Sequence, residues 1–319
     1  MPGTPPRPRP AQSTSALKRA YPALACLGLA AGAAGLAAGL WVMGDRLTRP
    51  ARAASGPPPD GLEVEPVAFR ASGDSLLKGW FVPGRPGTGA VVLMHGIHSN
   101  RTSLVRQAQL LSRAGYAVLL FDFQAHGESE GERITCGYLE ARDAEAAVAW
   151  LRRRLPDERI AAYGFSLGGL AALLPTPPLP VDALIVEGAP PSLRRGIARR
   201  MRRKYGWLGP LITPLLCTQF PLRAGISVDR IAPVDRMGEL RAPLLIIAGD
   251  SDRQTAPEDT WLLFAAAPQG TELWMIPGAT HGSMYETAGG EYERRILDFL
   301  ETHLRDGRPI PLKGLETAE

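Results

Sequence analysis

The chain has 319 residues, 45% of them hydrophobic and 21% charged, with a formal net charge of +4. That composition excludes a disordered, collagen-like or coiled-coil protein and leaves room for one large domain or two small ones. The mild positive charge comes with no nucleic-acid motif, and three cysteines (Cys26, Cys136, Cys217) are too few for a disulfide scaffold or an all-cysteine zinc site.

Residues 1–20 are rich in Pro, Ser, Thr and Arg, lack apolar periodicity, and read as a disordered N-terminus. From Tyr21 to Met43 no residue is charged. At about 1.5 Å per residue this run crosses a hydrocarbon core of roughly 30 Å, so 21–43 is expected to be a transmembrane signal-anchor helix. A cleaved signal peptide, ending near Ala51-Arg52-Ala53, and a buried Ala/Gly helix are the rival readings. Gly28, Gly32, Gly35 and Gly39 give two G-x-x-x-G spacings, which would let helices approach closely. Arg7, Arg9, Lys18 and Arg19 before the run, against Arg46, Arg49 and Arg52 with Asp45 after it, place the N-terminus in the cytoplasm and the rest of the chain outside it. Residues 44–61, rich in Pro, Gly, Ala and Arg, read as a linker.

From 62 to 304 strands and helices alternate. Val64–Phe69 and Leu76–Val82 are expected to form a hairpin through Ser72-Gly73-Asp74. Ala90–Met94, Ala117–Phe121, Ile160–Tyr163, Ala183–Val186, Leu244–Ala248 and Glu272–Ile276 are apolar strands. Thr102–Ala114, Tyr138–Leu155, Leu167–Leu174, Glu258–Ala267 and Tyr292–Leu304 are the helices between and after them. Continuously apolar strands separated by helices imply a parallel sheet covered on both faces, an α/β fold. Residues 188–240 break the rhythm and read as an insertion; 305–319 is a C-terminal tail.

The chemistry concentrates at strand ends. Gly164-Phe165-Ser166-Leu167-Gly168 is G-x-S-x-G between a strand and a helix, the setting that presents a serine Oγ on a tight turn. A serine needs a base to become a nucleophile. Of the five histidines, His95, His98 and His126 precede Ser166, and His303 lies in the last helix. His281, in the loop after Glu272–Ile276, is therefore the candidate base. The acid that orients it should follow Leu244–Ala248, where Asp250 and Asp252 both qualify; Asp252, further out along the loop, is favoured and Asp250 reads as a turn cap. Backbone N–H groups of Leu167 and Ile97 are the expected oxyanion hole. The His95 side chain reads as an organiser of its loop, while His98 reads as ambiguous or surface.

These residues resemble those of the α/β-hydrolases, and more closely the membrane-anchored, serine aminopeptidase-like hydrolases. The resemblance covers residues 62–304 and rests on five signatures in order: His95-Gly96-Ile97-His98-Ser99-Asn100-Arg101, Asp122-Phe123-Gln124-Ala125-His126-Gly127-Glu128-Ser129, the Ser166 turn, Gly249-Asp250-Ser251-Asp252, and Thr280-His281-Gly282. It implies an oxyanion loop in the first, a structural turn in the second, and an acid three residues after Gly249, which is Asp252. Two departures stand out: Ala125 occupies a usual glycine position, and Pro175-Thr176-Pro177-Pro178 cuts short the helix after Ser166.

The insertion 188–240 is then expected to be a helical cap over the site. Arg194, Arg195, Arg199, Arg200, Arg202, Arg203 and Lys204 form a basic run, read as a solvated face, a membrane-surface patch or a site for an anionic substrate group. Trp207, Leu208, Leu211, Ile212, Leu215, Leu216 and Phe220 would line an acyl pocket or form the cap's own core. The functional expectation is a membrane-anchored serine hydrolase acting on a small-molecule or lipid-like ester. No metal or organic cofactor and no nucleic acid are expected, and the oligomeric state stays open. A peptidase or thioesterase of the same fold, or a non-catalytic binding protein, is the alternative.

Overall fold

The computed structural model describes residues 14–305. The main sheet consists of β1 (Glu65–Arg70), β2 (Leu76–Val82), β3 (Ala90–Met94), β4 (Ala117–Phe121), β5 (Ile160–Phe165), β6 (Ala183–Glu187), β7 (Leu244–Gly249) and β8 (Glu272–Ile276). In space they run β8-β7-β6-β5-β3-β4-β2-β1. Neighbours are parallel except where β2 meets β1 and β4. After β3 the chain moves outward to β4, then returns to lay β5 on the other side of β3. That reversal leaves a crevice at the strand C-termini, where the loops after β3 and β5 part.

Among the described residues the helices are α1 (Thr14–Thr48), α2 (Val105–Ala114), α3 (Tyr138–Arg154), α4 (Leu167–Leu173), α5 (Leu193–Tyr205), α6 (Gly209–Cys217), α7 (Phe220–Ala224), α8 (Pro257–Ala266), α9 (Met284–Ala288) and α10 (Gly290–Leu304). The central strands β3 to β7 are almost wholly apolar because both faces are covered, whereas β1 at the sheet edge is mostly exposed. Val92, Met94, Leu119 and Ala162 pack towards α3, α4 and α8, with Ala144, Val148, Leu151 and Leu263. Val91, Leu93, Val118, Leu120 and Tyr163 pack towards α2 and α10, with Leu111, Ile296, Phe299 and Leu300. The α/β-hydrolase architecture expected from the sequence is the one observed, and the strand ends differ from the expected ones by at most two residues.

Helices α5, α6 and α7 lie within 188–240 and share a core of their own. Leu193, Ile197, Met201, Leu216, Cys217 and Phe220 close on Ala125, Ile134 and Cys136 of the body. Cys136 and Cys217 are both free thiols, and burial pushes both above the ordinary thiol range. Trp207, Leu211 and Leu215 are instead exposed on the cap's surface.

The N-terminal region departs from expectation. The helix begins at Thr14 and ends at Thr48, so residues 14–20 are helical rather than disordered, and the helix extends past the expected 21–43 at both ends. Residues 1–13, and 306–319 of the expected tail, lie outside the described residues. The segment 44–61 is not a free linker either. Ala51–Arg52 pairs in parallel with His126–Gly127, Thr48 O accepts from Ile134 N at 2.8 Å, and Ser55 Oγ donates to Asp122 Oδ2 at 3.4 Å. Composition marks such a segment as loop but says nothing of the groove that receives it.

That fastening depends on the turn after β4. Asp122, fully buried, accepts from Arg101 N (2.7 Å), Glu128 N (2.9 Å) and Arg101 Nη1 (2.5 Å). Arg101 also pairs with Glu128 and lies over the Trp80 ring at 4.6 Å. Ala125, at the usual glycine position, takes φ 59, and Gly127 is required because an added Cβ would meet Asp122 Oδ2 at 2.2 Å. Asp122→Ala leaves Arg101 buried with its main partner gone. It should cost about 3 kcal/mol of unfolding free energy, as for a broken buried ion pair, measured by urea denaturation against wild type.

Candidate active site

Ser166 lies between the last residue of β5 and the first of α4, at φ 52, ψ −104. A non-glycine residue there costs on the order of 1–3 kcal/mol and persists only when its surroundings impose it. They do: Ser166 N donates to Glu187 O at 2.8 Å, and Ser166 O accepts from Leu170 N at 3.1 Å. The flanking glycines are obligatory. An added Cβ on Gly164 would lie 2.4 Å from the Gly168 carbonyl, and one on Gly168 would lie 2.1 Å from Met94 O. The turn works only where β5 and β3 are adjacent.

The residues expected to act together are brought together. His281 Nε2 lies 3.1 Å from Ser166 Oγ, and His281 Nδ1 lies 2.7 Å from Asp252 Oδ2. The carboxylate can only accept, so the network assigns the proton to Nδ1 and leaves Nε2 free to accept from the serine. Asp252 is buried, and its Oδ1 takes N–H bonds from Gln254 (2.7 Å) and Thr255 (3.0 Å). Thr255 Oγ1 in turn donates to Gly188 O at 2.8 Å, so the acid is held from both sides. The Phe165 ring lies 5.2 Å from that of His281. Asp250 is exposed and turned away, accepting from Gly278 N (2.7 Å) and Ser251 Oγ (3.0 Å). It caps the loop that carries His281, as a turn-capping side chain should.

Ile97 and Leu167 both line the cavity beside Ser166 and His281. Leu167 is the first residue of α4, so its N–H has no intrahelical acceptor. The Ile97 N–H is aimed by His95. Its Nε2 accepts from Phe123 N at 3.1 Å, which leaves Nδ1 to donate to Gly96 O at 2.7 Å. Because the Gly96–Ile97 peptide is planar and trans, pinning that carbonyl turns the Ile97 N–H the opposite way. Burial lowers the His95 pKa to about 3, so the ring stays neutral and keeps this tautomer; it is an organiser and is placed away from Ser166. His98, at φ 56, is exposed, and His303 lies in α10 against Phe299.

Two cavities meet at Ser166, His281, Ile97 and Gln254. The one under the cap is narrow, about 100 Å³, and mostly apolar, with Leu170, Leu193, Ile197 and Phe220 in its walls. The other, about 340 Å³, is lined by Ser99, Ser103, Arg106, Gln107, Tyr285 and Glu286. Below it Glu187 accepts from Tyr163 Oη (2.6 Å) and Tyr292 Oη (2.5 Å). Burial raises the Glu187 pKa against those bonds. Among the described residues no group of three His, Cys, Asp or Glu side chains is arranged to hold a metal ion. Of the basic run of the cap, Arg202, Arg203 and Lys204 are exposed, and the other four go three ways. Arg194 pairs with Asp229, Arg195 and Arg199 pair with Asp259 of the body, and Arg200 enters the apolar cavity wall.

Gln254, Thr255 and Leu47 were not among the residues expected at the site. Thr255, three residues past Asp252, has a local signal, an Asp followed by N–H donors two and three residues on. Leu47 has none, since only the tertiary structure carries the end of α1 to the cavity.

Comparison with known proteins bears on the family and the fold. A family model described as serine aminopeptidase, S33, matches residues 85–231. An uncharacterized protein of Mycobacterium tuberculosis strain H37Rv is 30% identical over 271 residues, covering 82% of this chain and 88% of that one. The Arabidopsis thaliana α/β hydrolase domain-containing protein WAV2 is 27% identical over 263 residues, covering 77% and 82%. Among solved structures, the Pyrococcus furiosus esterase Pf2001 superposes with a TM-score of 0.67 at 25% identity, over 80% of this chain and 99% of that one. Fold and sequence together define a hydrolase of the α/β class. The chain belongs to the α/β-hydrolase superfamily, in the company of its serine aminopeptidase-like members.

If Asp252 is the orienting acid, Asp252→Asn should lower kcat/KM by roughly 10³–10⁴-fold, because the imidazole loses both its tautomer control and its counter-charge. Asp250→Asn keeps a side-chain acceptor and should cost less than about tenfold. Steady-state hydrolysis of one chromogenic ester by both variants decides between them; the reverse order would make Asp250 the acid.

Proposed function

We propose that the protein is a membrane-anchored serine hydrolase that cleaves carboxylic esters through an acyl-enzyme. The observation that carries this reading is the continuous hydrogen-bond chain from Asp252 through His281 to Ser166 at the open end of the sheet. Ser166 Oγ attacks the acyl carbon while its proton passes to His281 Nε2. Asp252 stabilises the imidazolium, and the N–H groups of Ile97 and Leu167 receive the oxyanion. Collapse of the tetrahedral adduct breaks the ester C–O bond, and Nε2 returns the proton to the departing alcohol. Water, deprotonated by the same nitrogen, then attacks the acyl-enzyme and releases the acid and Ser166. The esterase among the solved structures supports ester cleavage. The match to serine aminopeptidases supports a peptidase as the second reading.

Anchoring rests on α1. Cys26–Thr48 has a mean hydropathy of 1.8 and is unburied over the window measured, with Leu27, Leu29, Leu36 and Trp41 exposed. Such a surface is what a bilayer covers. The charge flanks read in the sequence support a hydrolase domain outside the cytoplasm.

Ser166→Ala removes one oxygen from an already imposed turn. It should fold as wild type, lose fluorophosphonate labelling, and lose at least about 10³-fold in kcat/KM on the best ester of a chain-length panel run beside p-nitroanilides. Wild-type activity in this variant would exclude the mechanism, and faster anilide than ester turnover would favour the peptidase. Full-length protein should stay with membranes in carbonate and high salt and need detergent for release. A helix held only by the cap's basic face would wash off, since salt screens that attraction. A soluble form shorter by roughly fifty residues would make the run a signal peptide.

A further inference from the structure

The end of the anchor helix forms a wall of the hydrolase. Leu40 and Met43 pack on the cap core. Arg223, buried, donates to Trp41 O at 2.6 Å, lies 4.0 Å from the Trp41 ring and pairs with Asp45 at 3.3 Å. Gly44 is pressed against Gln219 and Arg223, where an added Cβ would meet Gln219 Oε1 at 2.6 Å. The last turns of α1 are therefore fixed relative to the site.

Beside this contact the helix and cap leave a groove of about 680 Å³. Gly35, Gly39, Met43 and Leu47, spaced four residues apart, supply one wall, and Met201, Tyr205 and Ile212 of the cap supply the other. The groove and the apolar cavity at Ser166 share two lining residues, Leu47 and Arg200. The two spaces thus meet at one junction. The cap helices that touch α1 are apolar outside as well, with Leu211 and Leu215 of α6 and Leu222 of α7 exposed. Its rim carries Arg46, Arg200 and Lys204, none of which has an acidic partner among the described residues. An apolar surface continuous with an apolar helix, rimmed by unneutralised cations, matches the boundary between acyl chains and anionic headgroups.

We propose that this groove is the acyl-chain entrance. A long-chain ester leaves the bilayer sideways along α1, its tail lies between Gly35–Leu47 and the cap, and its carbonyl arrives at Ser166 past Leu47. The alcohol portion faces the polar cavity beyond His281. This deepens the ester-hydrolase reading and rests on it: the substrate class is a long-chain acyl ester drawn from the membrane, and Leu47 and the Gly35/Gly39 stripe set chain-length preference.

The test uses full-length protein in vesicles of phosphatidylcholine with phosphatidylglycerol. It compares kcat/KM for p-nitrophenyl esters from butyrate to palmitate and repeats the series in vesicle-free detergent. Each methylene that reaches the groove should raise kcat/KM by up to about fourfold, until the groove is filled. Leu47→Trp narrows the junction. Gly39→Trp fills the outer groove from its wall, starting at a position where an added Cβ meets nothing within 4 Å. Both should lower the long-to-short ratio of kcat/KM at least tenfold, with Ser166 still labelled by a fluorophosphonate as proof of a folded site. A ratio within twofold of wild type in both variants overturns the route. A long-chain preference equal in vesicles and in detergent overturns the bilayer as the source. A wild type that is labelled and hydrolyses short esters, but shows no gain with chain length, overturns this inference alone; one that hydrolyses no ester overturns the reading beneath it and the inference together.

Discussion

A serine at φ 52 is the constraint from which the rest of the site follows. Ser166 can hold that conformation only because Gly164 and Gly168 let β5, α4 and the end of β3 approach within distances no side chain allows. That approach requires β3 and β5 to be neighbours, which is the point where the sheet reverses its order. The same adjacency sets Ile97 and Leu167 in the wall of the cavity beside Ser166. The loops after β7 and β8 then bring Asp252 and His281 to it from one side. The strain is offset by the parallel ladder beneath, in which β3, β4, β6 and β7 are buried at every residue.

A second group of contacts ties the N-terminal segment to this frame. The Asp122–Arg101 pair holds the turn from Asp122 to Ser129, and that turn receives Ala51–Arg52 and Ser55. From the other side Arg223 grips the last turn of α1. Helix, cap and sheet are therefore mechanically one unit at the site's mouth. The hydrolase domain does not hang from the proposed anchor on a flexible tether; its active-site cavity begins at the anchor's last turn.

Most of the sheet was legible in the sequence because each central strand is a short, almost continuously apolar run between glycines, prolines or helical patterns. Ala90–Met94 and Ala117–Phe121 have the ends expected of them. The candidate site was legible for a related reason. Each group sits in a loop immediately after a strand, so finding the strand finds the loop; chain order then separates His281 from three of the other histidines, and the last helix holds the fourth, His303. What stayed hidden was long-range. The pairing of Ala51–Arg52 with His126–Gly127 is two residues long, too short for any periodicity. The fate of Trp207, Leu211 and Leu215, exposed rather than lining a pocket, is set by how α6 lies on α1 and α5. Ala125, read as a departure from a glycine position, keeps the glycine-like φ of 59, and its methyl joins the cap core, a packing gain opposing the backbone cost.

The central claim is that Ser166 carries the acyl group. Rapid mixing of full-length protein with a p-nitrophenyl ester, quenched in acid and digested for mass spectrometry, reads this directly. The account predicts a burst of p-nitrophenol stoichiometric with the enzyme and an acyl mass on the peptide containing Ser166, absent when His281 is replaced by Ala. Steady turnover by wild type with no acyl adduct, or with the adduct on any other residue, would contradict it.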